Sequence, residues 1–257
     1  MNMHAAPLVT APRTSTIADR LAPISIEQVG GVAALLLAAG YVLIMPLFAT
    51  VGAPPMGAEA RLEYHSMGTT AWWGIVALSV LTDLLFVPIA ASLYATLRRF
   101  GQPAMLVATA FILLFVALDL AVLWPAKVSL IGLGEQYATA PPAQRDLLLA
   151  AAAYPAAVVD SILTSVYSVL TLGIGILMTG LVMLRTGVAR ATAVIGVLTG
   201  ALGIASVVET AGTGSFAVLV VGASLLTIVW LVLVAWGLLR ARWAVNQQQG
   251  YGHPAAA

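Results

Sequence analysis

Cysteine is absent from this chain of 257 residues. Its absence excludes disulfides, thiolate metal sites, covalent haem attachment and cysteine catalysis. Charge is scarce as well, since 8% of the residues are charged, against about 25% in a typical soluble domain. The net charge of +1 provides neither a basic surface for nucleic acid nor an acidic tail. We therefore expect no nucleic-acid partner.

Histidine is nearly absent from the apolar part of the chain. The three histidines are His4, His65 and His253, and the first and last lie in the terminal segments. No two of them have helical spacing, so neither a zinc motif nor a haem held between helices is expected. No Ser in the apolar stretches has a His that could act as its base. We expect no metal, no cofactor and no catalytic residue, although His65 with Glu63 could bind a cation weakly.

Hydrophobic residues make up 61% of the chain, and the mean hydropathy is +1.02. A monomer of this composition would not stay in solution, so we predict an integral membrane protein whose main partner is the lipid bilayer. Six apolar stretches each have roughly the 20 residues that cross a membrane as a helix. They are residues 29–50, 70–97, 103–126, 155–184, 190–210 and 215–239.

The predicted fold is therefore all-α, a polytopic membrane bundle of six transmembrane helices. The bundle is expected to occupy residues 28–243. Residues 1–27 are polar to mixed and are predicted to form a partly disordered cytoplasmic segment. Because no apolar region follows the start of the chain, we expect no cleavable signal peptide. Residues 244–257 are predicted to form a disordered tail.

Two of the connections between predicted spans are long. Residues 51–69 are predicted to form a loop, and their side chains are more varied than those of any other connection. Residues 128–154 form the longest connection. Its GLGEQYATAPP stretch is predicted to be a loop, and PAQRDLLLAAAAY a short helix near the membrane surface, with Pro142 in its first turn.

The basic residues predict the topology. Six spans place both termini on one side of the membrane. Eight of the eleven Lys and Arg residues fall on that side, namely Arg13, Arg20, Arg98, Arg99, Arg185, Arg190, Arg240 and Arg242. Because cytoplasmic loops carry the excess of basic residues, both termini are predicted to be cytoplasmic. The expected location is the inner (plasma) membrane of a bacterial cell, crossed several times.

An acidic residue in the predicted fourth span indicates a polar interior. Asp160 is followed by Thr164, Tyr167, Ser168 and Thr171 at spacings that place them on one face of a helix. A polar face on a membrane helix has to meet protein or water rather than lipid. Other helices are therefore expected to supply what Asp160 contacts.

Ionisable residues from several spans are predicted to gather in the outer half of the bundle. Charged groups inside a membrane usually face a partner or a wet cavity. One hypothesis is an outward-facing polar pocket that binds or transports a small molecule or ion. The alternative is a structural or interaction subunit whose acids only pair helices, and a membrane enzyme ranks third. The candidate ligand-binding residues are Asp83, Asp119, Asp160, Thr164, Lys127 and Glu209.

Small residues mark one face of the predicted fifth span. Gly196 and Gly200 have the spacing that lets two helices approach closely. This face could pack within one bundle or between two copies of the chain. A homo-oligomer is therefore one of the expected assemblies.

Two stretches resemble a family of uncharacterised six-span bacterial membrane proteins, of the domain-of-unknown-function type. They are LTDLLFVPIAASLYATLRR and LGIGILMTGLVMLRTGVARATAVIGVLTGALG, which lie on either side of a long connection. The resemblance covers about half of the chain. In the second stretch, Ala191 stands where such a turn usually has Pro. The resemblance implies a six-helix bundle, and no known activity or functional residue can be transferred from it.

Overall fold

The structure is a computed structural model that describes residues 25–186, 190–213 and 218–250. This described part is helical, with no β-strand. Five of its helices are long and apolar enough to cross a membrane, which indicates a multi-pass membrane protein and confirms the all-α membrane prediction. Most of the predicted N-terminal segment (residues 1–24), the basic turn at 187–189, residues 214–217 and the end of the predicted tail (251–257) lie outside the described residues.

The helices are α1 (Ile26–Val51), α2 (Ala58–Ser66), α3 (Thr69–Leu118), α4 (Trp124–Thr139), α5 (Pro142–Asp160), α6 (Ile162–Leu184), α7 (Arg190–Thr213) and α8 (Val218–Gly250). A π turn, Asp119–Leu123, joins α3 to α4. A second π turn, Val166–Leu170, lies inside α6. A capping box starts α1, since Ser25 and Gln28 each bond the other's backbone N–H through their side chains.

Helix α3 folds back on itself at Gly101. The backbone of Gly101 is not helical, with φ 175° and ψ 68°. On either side of this point, the rings of Phe86 and Phe115 meet edge to face, 5.4 Å between centroids. These two residues are nearly equidistant from Gly101 along the sequence, so the two arms of α3 form an antiparallel helical hairpin. The predicted second and third spans correspond to these arms. Both arms belong to the segment Thr69–Thr139, which counts as one of the five long apolar helices and also includes the π turn and α4.

The main core lies between α1, both arms of α3, α6, α7 and α8. Its buried side chains include Leu37, Phe86, Ile112, Ile176 and Trp230. Many apolar side chains on the opposite faces of the same helices are exposed, as a lipid-facing surface requires. The bundle therefore has a protein-facing and a lipid-facing side on each long helix.

The glycine face of α7 packs inside this bundle. A Cβ on Gly200 would lie 2.5 Å from the backbone nitrogen of Leu177 in α6, and one on Gly196 would lie 2.6 Å from Nε1 of Trp230 in α8. Real Cβ atoms do not approach so closely, and glycine is needed at both positions. The small-residue spacing thus serves packing within one chain.

A second group of helices, which we call the cap, lies at one end of the bundle and consists of α2, α4 and α5. Its small core contains Leu62, Leu130 and Ala152, one from each helix. Residues 51–69 are therefore more than the loop that the sequence predicts, since α2 occupies half of them and is packed into the cap. Trp73, at the start of α3, also donates a 3.2 Å hydrogen bond from Nε1 to Glu135 of α4.

The predicted loop GLGEQYATAPP is wrong over most of its length, because α4 continues without a break to Thr139. Both of its glycines are helical, and one of them, Gly134, serves packing. A Cβ on Gly134 would lie 2.8 Å from the carbonyl oxygen of Leu62, so Gly134 lets the α2 backbone approach α4. The connection that remains between α4 and α5 is Ala140–Pro141.

The predicted fourth span also begins in the wrong place. The chain leaves helical geometry at Ser161, with φ −70° and ψ 140°, and the membrane-length helix starts at Ile162. Residues 155–160 instead belong to α5, with Pro155 inside that helix. Asp160 therefore sits at the end of a cap helix, outside the membrane-length segment in which the sequence placed it.

Candidate functional site

The two π turns face each other across a short hydrogen bond. Ser168 Oγ donates to Asp119 Oδ1 at 2.5 Å. Asp119 opens the π turn between α3 and α4, and Ser168 lies in the π turn of α6. A π turn widens the helix by one residue and is frequent at functional sites. The wider turn after Asp119 also precedes Pro125, which cannot donate a backbone hydrogen bond.

Asp83 is held by an aromatic donor from α4. Trp124 Nε1 donates a 2.6 Å hydrogen bond to Asp83 Oδ2. The same indole carries Lys127 on its face, with Nζ 4.4 Å from the ring centroid, in cation–π contact. One side chain of α4 thus places a carboxylate at its edge and an ammonium over its face.

Asp83, Asp119 and Lys127, which we call the carboxylate cluster, interact electrostatically. The two carboxylates repel each other, and Lys127 attracts both. Asp83 and Asp119 are each only 4% exposed. Within the described residues, their second oxygens, Asp83 Oδ1 and Asp119 Oδ2, accept no hydrogen bond. A carboxylate has room for about four acceptor contacts, so each keeps capacity for a ligand.

An ion pair closes the cap beside this cluster. Arg61 of α2 donates from Nε and Nη2 to Oδ1 of Asp160, at 3.0 and 2.6 Å. The other oxygen, Asp160 Oδ2, accepts a 3.0 Å bond from the backbone N–H of Gly57. The side chains are 9% and 16% exposed. Asp160 thus accepts three hydrogen bonds from the connection between α1 and α3, and it fastens α5 to α2.

His65 lies one helical turn after Arg61 and is 1% exposed. Its Nδ1 donates a 2.7 Å hydrogen bond to the carbonyl oxygen of Arg61, which fixes the tautomer. The ring packs against Trp72, 4.6 Å between centroids. Burial is the main cause that lowers the pKa of His65 to about 4; the charges of Arg61 and Lys127 act in the same direction, and the hydrogen bond to Arg61 opposes them. His65 is therefore neutral at physiological pH.

Tyr64 joins the same aromatic group. Its hydroxyl donates a 2.8 Å hydrogen bond to the carbonyl oxygen of Gly52, and its ring meets Trp72 edge to face. Burial raises the pKa of Tyr64 above its usual value, so the phenol stays protonated. These contacts anchor α2 on the start of α3.

The structure brings together three of the six predicted ligand-binding residues. These are the members of the carboxylate cluster. Asp160 contacts Arg61 instead, and Thr164 donates a 2.7 Å hydrogen bond to the carbonyl oxygen of Val158, across the break at Ser161. Glu209 lies near the end of α7. Two other residues of the polar face predicted after Asp160 have different partners. Ser168 donates to Asp119 of the cluster, while Thr171 donates to the backbone of Tyr167 in its own helix.

The sequence did not predict the roles of three residues of this region. Arg61 and His65 lie in a connection that was predicted to be a loop, where His65 was considered only as a weak cation ligand with Glu63, and Trp124 was taken as the end of a span. A signal for the first two was present, since they are four residues apart and would share a helix face. No comparable signal pointed to Trp124, whose partner lies 41 positions away.

The structure also contains a cleft of about 520 Å³ between α4 and α5. Its walls are mainly small or apolar side chains, among them Ala121, Val122, Pro125, Ala151 and Pro155. None of the six predicted ligand-binding residues lines it. The cleft is therefore separate from the carboxylate cluster.

Comparison with known proteins gives no match to this chain among family models, curated proteins or solved structures. The chemistry of the site therefore has to be interpreted from its own residues.

Proposed function

We propose that this protein binds a small cation at the carboxylate cluster of Asp83, Asp119 and Lys127. The observation that carries the proposal is that both carboxylates are buried and that each accepts one hydrogen bond within the described residues. Buried ionised carboxylates are costly unless paired. When all three side chains are ionised, the two carboxylates carry two negative charges and Lys127 carries one positive charge, so one negative charge is left uncompensated.

The charge balance favours an occupant with a single positive charge. A proton shared between the two carboxyl groups, or one alkali cation, would make the cluster neutral. In the described part of the chain, no three His, Asp or Glu side chains come together as metal ligands. A divalent ion that needs several carboxylates is accordingly less well supported than a proton or an alkali ion.

Transport would require access to the buried cluster. The cap covers one end of the bundle, and the Arg61–Asp160 ion pair fastens α2 to α5 beside the cluster. Opening of that ion pair is our proposed route by which the occupant enters. Two π turns at the cluster provide helix segments whose hydrogen bonding can rearrange.

The alternative function is structural pairing of helices, and one observation favours it. Each carboxylate already receives a donor from another segment, Trp124 for Asp83 and Ser168 for Asp119. In this case the acids would stabilise the bundle without taking up a ligand. The two functions differ in what Asp→Asn variants do, because an amide keeps the size of the side chain and removes its charge.

The test is cation binding by purified protein. We expect the wild type to bind radioactive sodium with a stoichiometry near one, or to take up one proton more than its Asp83→Asn and Asp119→Asn variants between about pH 5 and pH 8, above the range of ordinary carboxyl groups. Asp83→Asn and Asp119→Asn should lose this binding and still unfold cooperatively. The matched control is Asp146→Asn, because Asp146 is an exposed acid on α5. Absence of both sodium binding and proton uptake in the wild type would leave the structural role.

We further propose six membrane crossings with both termini in the cytoplasm of a bacterium, in its inner membrane. The helical segment Thr69–Thr139 has 71 residues and folds back at Gly101. Since one crossing of a bilayer core takes about 20 residues, this segment is long enough for two crossings. The hairpin at Gly101 and the basic pair Arg98 and Arg99 beside it support a cytoplasmic turn between two crossings.

The absence of Cys makes this topology directly testable. A single Cys at Gln102, which is exposed beside the hairpin turn, should react with a membrane-impermeant thiol reagent only after the cells are opened. A single Cys at Asp146 in the cap should react in intact cells. Labelling of both positions from the same side would contradict the proposed crossings.

A further inference from the structure

The cleft between α4 and α5 is long and narrow. Along the π turn and α4 its lining runs from Ala121 to Gln136, a rise of roughly 22 Å at 1.5 Å per residue. Its volume of about 520 Å³ lies within the range of ligand pockets, about 300–1,000 Å³. The shape fits an extended chain better than a compact molecule.

The two ends of the cleft differ in chemistry. The end at Ala121 and Val122 is apolar and belongs to a helix of membrane-spanning character. The other end contains Gln136, next to Tyr137. Arg145 lies over the ring of Tyr137, 5.2 Å from its centroid, and Nε donates a 3.4 Å hydrogen bond to the carbonyl oxygen of Ala140. Arg145 does not line the cleft itself, and its exposed guanidinium lies over Tyr137, the residue after the last lining residue of α4.

The rim of the cleft has the character of a membrane interface. Tyr154 lines the cleft and is 78% exposed. Leu147, on the same helix, is 72% exposed. An amphipathic aromatic side chain beside an exposed Leu is typical of residues that sit at the level of lipid headgroups. The exposed rim of the cleft thus has the composition of a lipid-contacting surface.

We propose that this cleft binds one phospholipid from the surrounding bilayer, with an acyl chain along α4 and its phosphate beside Arg145. Apolar walls match the chain, and an exposed Arg matches the phosphate charge. The proposal does not depend on cation binding at the carboxylate cluster, since none of that cluster's residues lines the cleft.

Gly132 offers a way to fill the cleft without damaging the fold. It lines the cleft, and a Cβ built there meets no atom within 4 Å. Gly132→Leu should therefore occupy the volume of the acyl chain and leave α4 intact. Gly222→Leu is the matched control, because Gly222 is also a helical Gly with open space around its Cβ.

The experiment uses the full chain in vesicles that contain phosphatidylglycerol with a photoreactive diazirine near the end of one acyl chain. We expect crosslinks on residues 121–158 of the wild type that exceed those on the exposed face of α8. Gly132→Leu should reduce them about tenfold, which corresponds to about 1.4 kcal/mol, and Gly222→Leu should leave them unchanged. Equal labelling of the cleft in the wild type and Gly132→Leu, or labelling no stronger than on α8, would overturn the proposal.

A second arm tests the headgroup. Arg145→Gln should remove a preference for labelled phosphatidylglycerol over labelled phosphatidylcholine, while the apolar part of the cleft is unchanged. The anionic lipid should be preferred by the wild type and by Gly222→Leu. Both lipids carry a phosphate, so labelling of Arg145→Gln equal to that of the wild type with both lipids would show that the assigned contact between Arg145 and the phosphate is wrong.

Discussion

Ser168 Oγ and Asp119 Oδ1 lie 2.5 Å apart, and their hydrogen bond connects two π turns. One turn joins α3 to α4, and the other lies in the middle of α6. In the sequence both residues stand in apolar surroundings, 49 positions apart. The bond ties the cap-bearing part of the chain to the main bundle at the point where both helices depart from regular geometry.

Removal of the Ser168 hydroxyl should destabilise the protein. Ser168→Ala leaves the buried Asp119 without its hydrogen-bond donor, which costs about 2 kcal/mol. The matched control is Ser224→Ala in α8, because the Ser224 hydroxyl donates to the carbonyl of Val220 in its own helix. Thermal unfolding in detergent should show a lower Tm for the first variant and little change for the second. Equal Tm values would show that the bond contributes nothing measurable.

Trp124 should be similarly sensitive to loss of its indole N–H. Trp124→Phe keeps an aromatic ring under Lys127 and removes the donor to Asp83, which is 4% exposed. We expect a loss of about 1–3 kcal/mol in the free energy of unfolding. Trp73→Phe is the control, since its bond to Glu135 lies at the surface. A comparable loss in both variants would argue against a special role for the buried bond.

The membrane bundle was predictable from the sequence because composition and length determine it. Apolar runs of about 20 residues leave few alternatives to spanning helices. The acids Asp83 and Asp119 were identifiable for the same reason, since an ionisable residue in such a run needs a partner. The identity of those partners, Trp124 and Ser168, depends on tertiary contacts that no local pattern encodes.

The cap was not predictable in the same way. Gly134 was interpreted as a loop residue, although its role is to let the α2 backbone approach α4. Asp160 was placed inside a span because the run after it is apolar, and the break at Ser161 has no Gly or Pro to mark it. Arg61, which fixes the position of Asp160, lies 99 residues earlier in the chain.

The ion pair between Arg61 and Asp160 should show coupling in a double-mutant cycle. Arg61→Ala leaves the largely buried Asp160 carboxylate without its charged partner, which costs about 3 kcal/mol. Asp160→Ala should cost a similar amount. The double variant should be more stable than the sum of the two losses implies. Additive losses would contradict a direct interaction. Hydrogen exchange of α5 should rise in each single variant, because this pair fastens α5 to α2.

His65 should make stability depend on pH between about 4 and 6.5. In the folded state the pKa of His65 is lowered to about 4, whereas the unfolded chain takes up the proton near pH 6.5. Between these values the unfolded state binds more protons, so stability falls as the pH falls. The full loss is about 3 kcal/mol.

Replacement of His65 removes this titration without adding a charge. Chemical unfolding at pH 7 and pH 4.5 should show a smaller difference for His65→Gln than for the wild type. Because acidic residues titrate over part of the same range, the comparison between the two proteins is the informative quantity. The same pH dependence in both would mean that the buried ring is not responsible.

Gly134 and Gly132 lie two residues apart in α4 and have opposite surroundings. A Cβ on Gly134 would lie 2.8 Å from the carbonyl oxygen of Leu62 and 3.1 Å from the backbone nitrogen of Ser66, whereas one on Gly132 meets nothing within 4 Å. Both positions are helical, so Ala is favoured over Gly by helix propensity at each, by about 1 kcal/mol. Gly132→Ala should therefore maintain or raise the Tm.

Gly134→Ala should lower the Tm, since the rigid backbone of α2 has to move and the cap loses its close packing. Measuring the Tm of both variants in one detergent separates helix propensity from steric contact with α2. Both variants carry the same Gly→Ala change, but only Gly134 lies against the α2 backbone. Equal shifts for both variants would mean that α2 does not lie against α4 as described.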